Sequence, residues 1–363
     1  MRSSLAFVLA IVLSLSTACA SPSPTTTPKP AAPPPSPTIA VAATLTAAPP
    51  TATQSAAPIP TARPATAPTA APTATAQPAA TATSAPSAAT AQFPMTVTDD
   101  AGRKVEIARA PLRIVSLAPS NTELLFAVGA VDKVVGVDEF SNFPAEARAK
   151  PQLGSYIKPD LERIVAAGPD LVLVTNVHVK TLVPELESRK IPALVVDGTN
   201  VEEVFERILL VGRVTGDPAK AATVVASMKA RMATVASRVS GQPKTRVFFE
   251  LSPDLYTAGP KTFVDDLIQR AGGQNIAADA KTQWPQLNQE SVIQKDPEVI
   301  ILSYGAGGPS PDQVKARPGW QNLAAIKGSR VTTVNPDLTN RPGPRVIDGL
   351  EAIAAALHPD RFR

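Results

Sequence analysis

DLERIVAAGPDLVLV, residues 160–174, packs a helix, a stop and a buried strand into one short stretch. Asp160 suits the N-cap, where its carboxylate can accept from a backbone N–H of the first turn. Gly168-Pro169 ends the helix, because proline cannot continue it and glycine tolerates the left-handed turn. Leu171–Val174 then runs apolar without alternation, which implies a strand covered on both faces and so a parallel sheet flanked by helices.

The same grammar extends on both sides. Upstream, 95–107 alternates about Asp99-Asp100-Ala101-Gly102 and reads as a hairpin. RIVSL (113–117) is a short buried strand, SNTELLFAVGA is a helix with Ser120 and Glu123 spaced as a capping box, and VVGV (134–137) is the next strand. Downstream come a helix around 178–189 and the strand ALVVD (193–197). Residues 201–239 have helical periodicity with an interruption at Gly212 to Pro218, and Ala219–Val239 is long enough to span about 30 Å. Strands then return at 246–251, 298–302 and 330–334, with helices at 262–270 and 346–357. Strands alternating with helices predict α/β architecture: two Rossmann-like lobes joined by one long, stiff helix, with a ligand cleft between them at the carboxyl ends of the strands.

The N-terminal quarter reads differently. Residues 21–90 hold 17 of the 39 prolines among Ala, Thr and Ser, too little apolar bulk to offset the entropy of ordering. They predict a disordered tether, extended by its prolines to about 200 Å at most, or an O-glycosylated stalk. Met1-Arg2, the apolar run 5–15 and small residues before Cys19 describe a secretory signal rather than a spanning helix, an uncleaved anchor being the alternative. Ser16-Thr17-Ala18-Cys19 resembles the lipobox of bacterial lipoproteins, although Ser16 stands where leucine is usual. Lipidation of Cys19 would anchor the chain to a membrane, outside the cytoplasm. The expected division is 1–19 signal, 20–93 tether, 94–200 first lobe, 201–242 connecting helices and 243–363 second lobe.

Composition excludes several function classes. Residues 1–92 carry Arg2, Lys29 and Arg63 and no acid, which leaves 32 basic and 31 acidic side chains in the rest and no footprint for nucleic acid. One cysteine rules out an intrachain disulfide or a thiolate cluster, and two distant histidines, His178 and His358, make a His-rich metal site improbable. No nucleophile elbow, phosphate loop, zinc-protease motif or dinucleotide fingerprint is present, so no catalytic residue, resident metal or cofactor is assigned.

VTDDAGRKVEI…RIVSLAPSNTELLFAVG…VVGV, GSYIKPDLERIVAAGPDLVLV and TQWPQLNQESVIQKDPEVIIL, in this order, resemble the iron-siderophore/cobalamin family of periplasmic binding proteins over nearly all of 94–358. The resemblance implies a non-enzymatic solute-binding protein of an ATP-driven importer, with limited lobe closure and a permease dimer as partner. It assigns permease docking to one carboxylate per lobe, Glu162 in DLERI and Glu290 in LNQES. For the ligand it points to aromatic Tyr156 and Trp284, with Phe140 and Tyr256 also at strand ends, and to Asp337 and Arg341 of NPDLTNRPGPR; Arg345 is expected to cap or pair at the start of the last helix. Aromatic faces suit a corrinoid plate, so a cobalamin-like ligand is expected. A ferric siderophore or haem is the alternative, and the ligand itself would then bring the cobalt or iron. Thr175-Asn176-Val177-His178 departs from the cobalamin binders, which can carry an aromatic there; His178 is a remote candidate for approaching a metal-centred ligand. A stalked enzyme or an adhesion module would account for the tether but not for these motifs.

Overall fold

The computed structural model describes residues 91–305 and 307–363. The signal segment, Cys19, the tether up to residue 90 and Ala306 lie outside the described residues. The hairpin forms as expected from β1 (Met95–Thr98) and β2 (Lys104–Ile107). Its turn is held by Asp99, whose carboxylate accepts from the backbone N–H of Ala101 and Arg103 at 3.1 and 2.8 Å.

The first lobe comprises β3 (Ile114–Ser116), α1 (Pro119–Ala127), β4 (Val134–Val137), α2 (Leu161–Ala166), β5 (Leu171–Val174), α3 (Val183–Ser188) and β6 (Ala193–Val195). Its four strands are parallel in the order β4-β3-β5-β6. Two helices follow, α4 (Val201–Thr215) and α5 (Pro218–Val239). The second lobe comprises β7 (Thr245–Glu250), α6 (Phe263–Arg270), β8 (Gly273–Asn275), α7 (Gln289–Lys295), β9 (Val299–Leu302), α8 (Pro311–Lys315), α9 (Ala324–Lys327), β10 (Val331–Thr333), α10 (Pro336–Thr339) and α11 (Val346–Leu357). Its parallel order is β10-β9-β7-β8. In both sheets the order is second, first, third, fourth, so the lobes share one topology.

The likeness reaches individual hydrogen bonds. In the first lobe Arg113 donates its backbone N–H to Asp170 at 2.9 Å and its Nε to the Gly168 carbonyl at 3.0 Å. In the second, Arg246 donates its N–H to Glu298 at 2.9 Å and its Nε to the Asp296 carbonyl at 2.9 Å. Each clamp ties the entry of a first strand to a helix–Pro–acid–strand corner. The corner residues Gly168 and Asp296 both take the left-handed backbone, φ 56° and 41°.

Three sequence expectations change. First, α1 begins at Pro119 with Ala118 as N-cap and no side-chain cap, so Ser120 and Glu123 form no capping box. Proline at the first helical position supplies the preset φ and draws the start ahead of Ser120. Second, the helix expected around 178–189 is a 3-10 turn at Asn176–His178 followed by the short α3. Third, α4 runs straight through Gly212. A Cβ there would come within 2.3 Å of the Ala221 Cβ, so this glycine permits α4 and α5 to cross closely. The break falls at Gly216, φ 95°, and Asp217 caps α5 by accepting from Lys220 N–H at 2.9 Å.

The 22 residues of α5 span about 33 Å, but the helix is not a free-standing strut. One buried apolar cluster runs from Leu171 and Leu194 of the first sheet through Val204 and Ile208 of α4 and Val225 and Met228 of α5. It continues to Val247 and Ile301 of the second sheet and Leu350 of α11. The outer face of each sheet has its own cluster, around Val172 and Leu186 in one lobe and Phe248 and Trp320 in the other. The lobes are therefore fused on the helix side.

Candidate ligand-binding cleft

A cavity of about 400 Å³ opens between the lobes. From the first lobe it is lined by Phe140, Tyr156, Ile157 and Asp197, and from the second by Asp337 and Arg341. The walls come from loops after strands and from α10, the position expected of open parallel sheets.

Phe140 sits just beyond β4 and is 52 % exposed. Its loop is organised by Asp138, a buried carboxylate that accepts from Phe140 N–H at 2.9 Å and from the Ser141 hydroxyl. The hydroxyl contacts continue from Ser141 to Thr122 at 2.7 Å and from Thr122 to Ser116 at 2.8 Å, which ties the loop to β3 and α1. Burial pushes the Asp138 carboxyl above its ordinary value.

Tyr156 follows Gly154, φ 99°, where a Cβ would come within 2.6 Å of Asp160 N. Its hydroxyl accepts from Thr175 Oγ1 at 3.1 Å and its carbonyl accepts from His178 Nε2 at 2.7 Å. His178 Nδ1 in turn accepts the Thr175 N–H at 3.1 Å. The imidazole is therefore neutral, with its proton on Nε2, and it is buried with both nitrogens engaged. Burial lowers its pKa. His178 is no approach to a metal-centred ligand; it positions Tyr156, meeting that ring edge-on at 5.5 Å. The Tyr156 phenol itself is pushed up, by burial first and then by the nearby Asp197 and Asp138 carboxylates.

On the second lobe, Asn335 caps α10 by accepting from Asp337 N–H at 2.9 Å. Arg341 pairs with Asp337 at 2.7 Å. It also donates to Asn142 of the first lobe at 2.8 Å, and Asn142 Nδ2 donates to Asp337 at 3.2 Å. Asn340, also on the cavity wall, is tied to Ser303. Arg345 pairs as expected at the start of α11, but its partner is Glu123 on the other lobe, at 2.6 and 2.9 Å.

Four of the six ligand residues read from the sequence thus meet at one cavity. Tyr256 and Trp284, 44 % and 54 % exposed, do not line it. They lie where 256–259 runs beside 283–286, with Thr257 N–H donating to Pro285 O at 3.0 Å and its hydroxyl to Phe249 O of β7 at 2.7 Å. Glu162 and Glu290 are both exposed in the first turns of α2 and α7. Each helix starts on the cleft side of its own sheet: Asp160 N–H bonds Leu153 O beside β4, and Leu287 N–H bonds Leu255 O beyond β7. Sequence reading missed Asn142, Asp197 and Glu123; an acid directly after an apolar strand, as in ALVVD, was the available signal for Asp197.

Two matched parallel sheets around a solvent-reachable cavity define an α/β solute-binding protein. The profile of the periplasmic binding protein family matches residues 114–338, and the chain belongs to that family. An uncharacterized ABC transporter substrate-binding lipoprotein, YvrC of Bacillus subtilis, is 34% identical over 76% of this chain and 88% of the relative. A cobalamin-binding protein of Halobacterium salinarum is 33% identical over 73% of this chain and 74% of the relative. The solved periplasmic haem-binding protein RhuT of Roseiflexus sp. RS-1 superposes with a TM-score of 0.61 at 27% identity, covering 69% of this chain and 99% of that one. The chain is thus a substrate-binding protein of an ABC importer of the B12, siderophore and haem type. Such proteins bind a small ligand and work with a permease, and they are not enzymes.

Proposed function

We propose that this protein captures a corrinoid between its lobes and hands it to a dimeric permease. The observation that carries this reading is the charge of the cavity: its one arginine, Arg341, is already neutralised by Asp337 at 2.7 Å, and Asp197 adds a further carboxylate. Catecholate or carboxylate siderophores and the propionates of haem need unpaired cations, whereas a corrin ring with amide fringes needs apolar cover and hydrogen-bonding groups. Phe140, Tyr156 and Ile157 provide the first. Asp337 and Arg341 provide the second.

A corrinoid is broader than the cavity, and exposed Tyr256 and Trp284 are offered to the part that projects. Glu162 and Glu290 meet the permease, as charges at both rims orient an encounter. Lipidation at Cys19 holds the protein outside the cytoplasm on the 20–93 tether, with lobes 94–200 and 243–363 connected through 201–242.

Titration with cyanocobalamin, a ferric catecholate siderophore and haem, followed by tryptophan fluorescence and absorbance, tests the ligand. Cyanocobalamin is expected to bind tightest, and Phe140→Ala and Trp284→Ala are each expected to weaken it about tenfold. Tighter binding of haem or the siderophore by the unaltered protein overturns the corrinoid assignment.

A further inference from the structure

Two guanidinium groups and two carboxylates join the lobes: Arg341 and Arg345 from the second, Asp337 from the second and Glu123 from the first. Glu123 makes the crossing. Its side chain is 2 % exposed, and it receives Arg345 Nε at 2.9 Å and Nη2 at 2.6 Å, with Arg341 Nη1 at 3.5 Å. Two cavities adjoin this pair, the first only through Arg341. The first is the ligand cleft, with Ser120 and Arg341 on its wall; the other, also about 400 Å³, is lined by Phe126, Phe143 and Pro344 together with Glu123 and Arg345 themselves. The Arg345 guanidinium also lies 3.9 Å from the Phe143 ring centroid, so it is held by a carboxylate and an aromatic face at once.

We propose that Glu123 is a specificity-determining residue of the cleft. By pairing with Arg345 and sharing Arg341 across the lobe boundary, it lowers the positive potential that the two arginines put beside the cavity and selects uncharged ligands over anionic ones. The inference rests on the corrinoid reading and deepens it. Arginine does not lose its proton in a protein, so removing Glu123 takes one negative charge from beside the cleft and leaves the two guanidinium groups with only Asp337 and Asp197 of its wall. An arginine with fewer carboxylates against it attracts carboxylates and phosphates more strongly. Removing Arg345 instead leaves Glu123, Asp337 and Asp197 against the single Arg341 guanidinium and turns the balance the other way. A residue that only tied the lobes together would change the affinity for every ligand by a similar factor.

Dissociation constants for cyanocobalamin and for haem, measured on the full chain at low and high salt, decide the matter. Glu123→Gln keeps the shape and removes the charge. It is expected to raise the haem-to-cyanocobalamin affinity ratio by about tenfold, a gain that shrinks as salt screens it. Arg345→Gln is expected to lower the ratio, and the double variant E123Q/R345Q to return it toward the unaltered value. Near-ultraviolet circular dichroism checks that each variant is folded; where one single variant is not, the sign of the other decides. Shifts of the same sign in both single variants, or an unchanged ratio, overturn the proposal. If the unaltered protein prefers haem, the corrinoid reading fails, while opposite-signed shifts in the two variants still establish the role of Glu123.

Discussion

His178 shows how much one side chain can carry without touching a ligand. Its two nitrogens close a ring of hydrogen bonds between Thr175 and Tyr156, and burial keeps the imidazole below its ordinary pKa of 6.5. The unfolded chain takes up a proton at that ordinary value while the folded chain still refuses it. The stability contributed by His178 is therefore complete above 6.5, and it is lost as pH falls from there toward the lowered folded-state value. Denaturant titrations of the unaltered protein and His178→Gln at several pH values should show a steeper acid-side decline in the former. Parallel curves would mean that the residue is not held neutral. Glu250 offers a second test in the other lobe. Its fully buried carboxylate takes a two-point contact from Arg317 at 2.6 and 2.7 Å. Arg317→Met leaves that charge unpaired and should cost about 3–5 kcal/mol of unfolding free energy, less what Glu250 recovers by taking up a proton.

Among the elements, the crossing of α4 and α5 is a tight point, because Gly212 leaves no room for a side chain against Ala221. Gly212→Val should cost about 1–3 kcal/mol, read as a lowered melting temperature, and more if the helices separate. A melting temperature unchanged by the substitution would show that the crossing has slack. Elements whose own residues specify them were legible in sequence. β5 is four consecutive buried apolar residues, α2 has its Asp160 cap, and α11 spans Val346–Leu357 as its periodicity required. β8 was not legible. Gly273-Gln274-Asn275 has no β-branched or aromatic residue and becomes a strand because β7 offers a parallel partner beside it. The capping box at Ser120 failed for the complementary reason: Pro119 set the helix start locally, and Glu123 found a stronger partner 222 positions away.

At the scale of the whole molecule, the matched lobes present Glu162 and Glu290 in equivalent first turns, each on the cleft side of its sheet. Glu162→Lys combined with Glu290→Lys should abolish corrinoid uptake by cells while leaving the dissociation constant of the purified protein unchanged, since neither carboxylate lines the cavity. Uptake at the unaltered rate would remove docking from these two residues. What the amino-acid sequence determined unaided is the longer helices, the apolar strands and their α/β alternation, because hydrophobic period, caps and Gly-Pro stops act over a few residues. Tertiary structure alone decided which side chains share the cleft. It joined Asn142 to Asp337 and Glu123 to Arg345, and it left Tyr256 and Trp284 outside the cavity. Those choices follow from how two separately wound sheets are set against each other across α4 and α5, and no local stretch of chain encodes that distance.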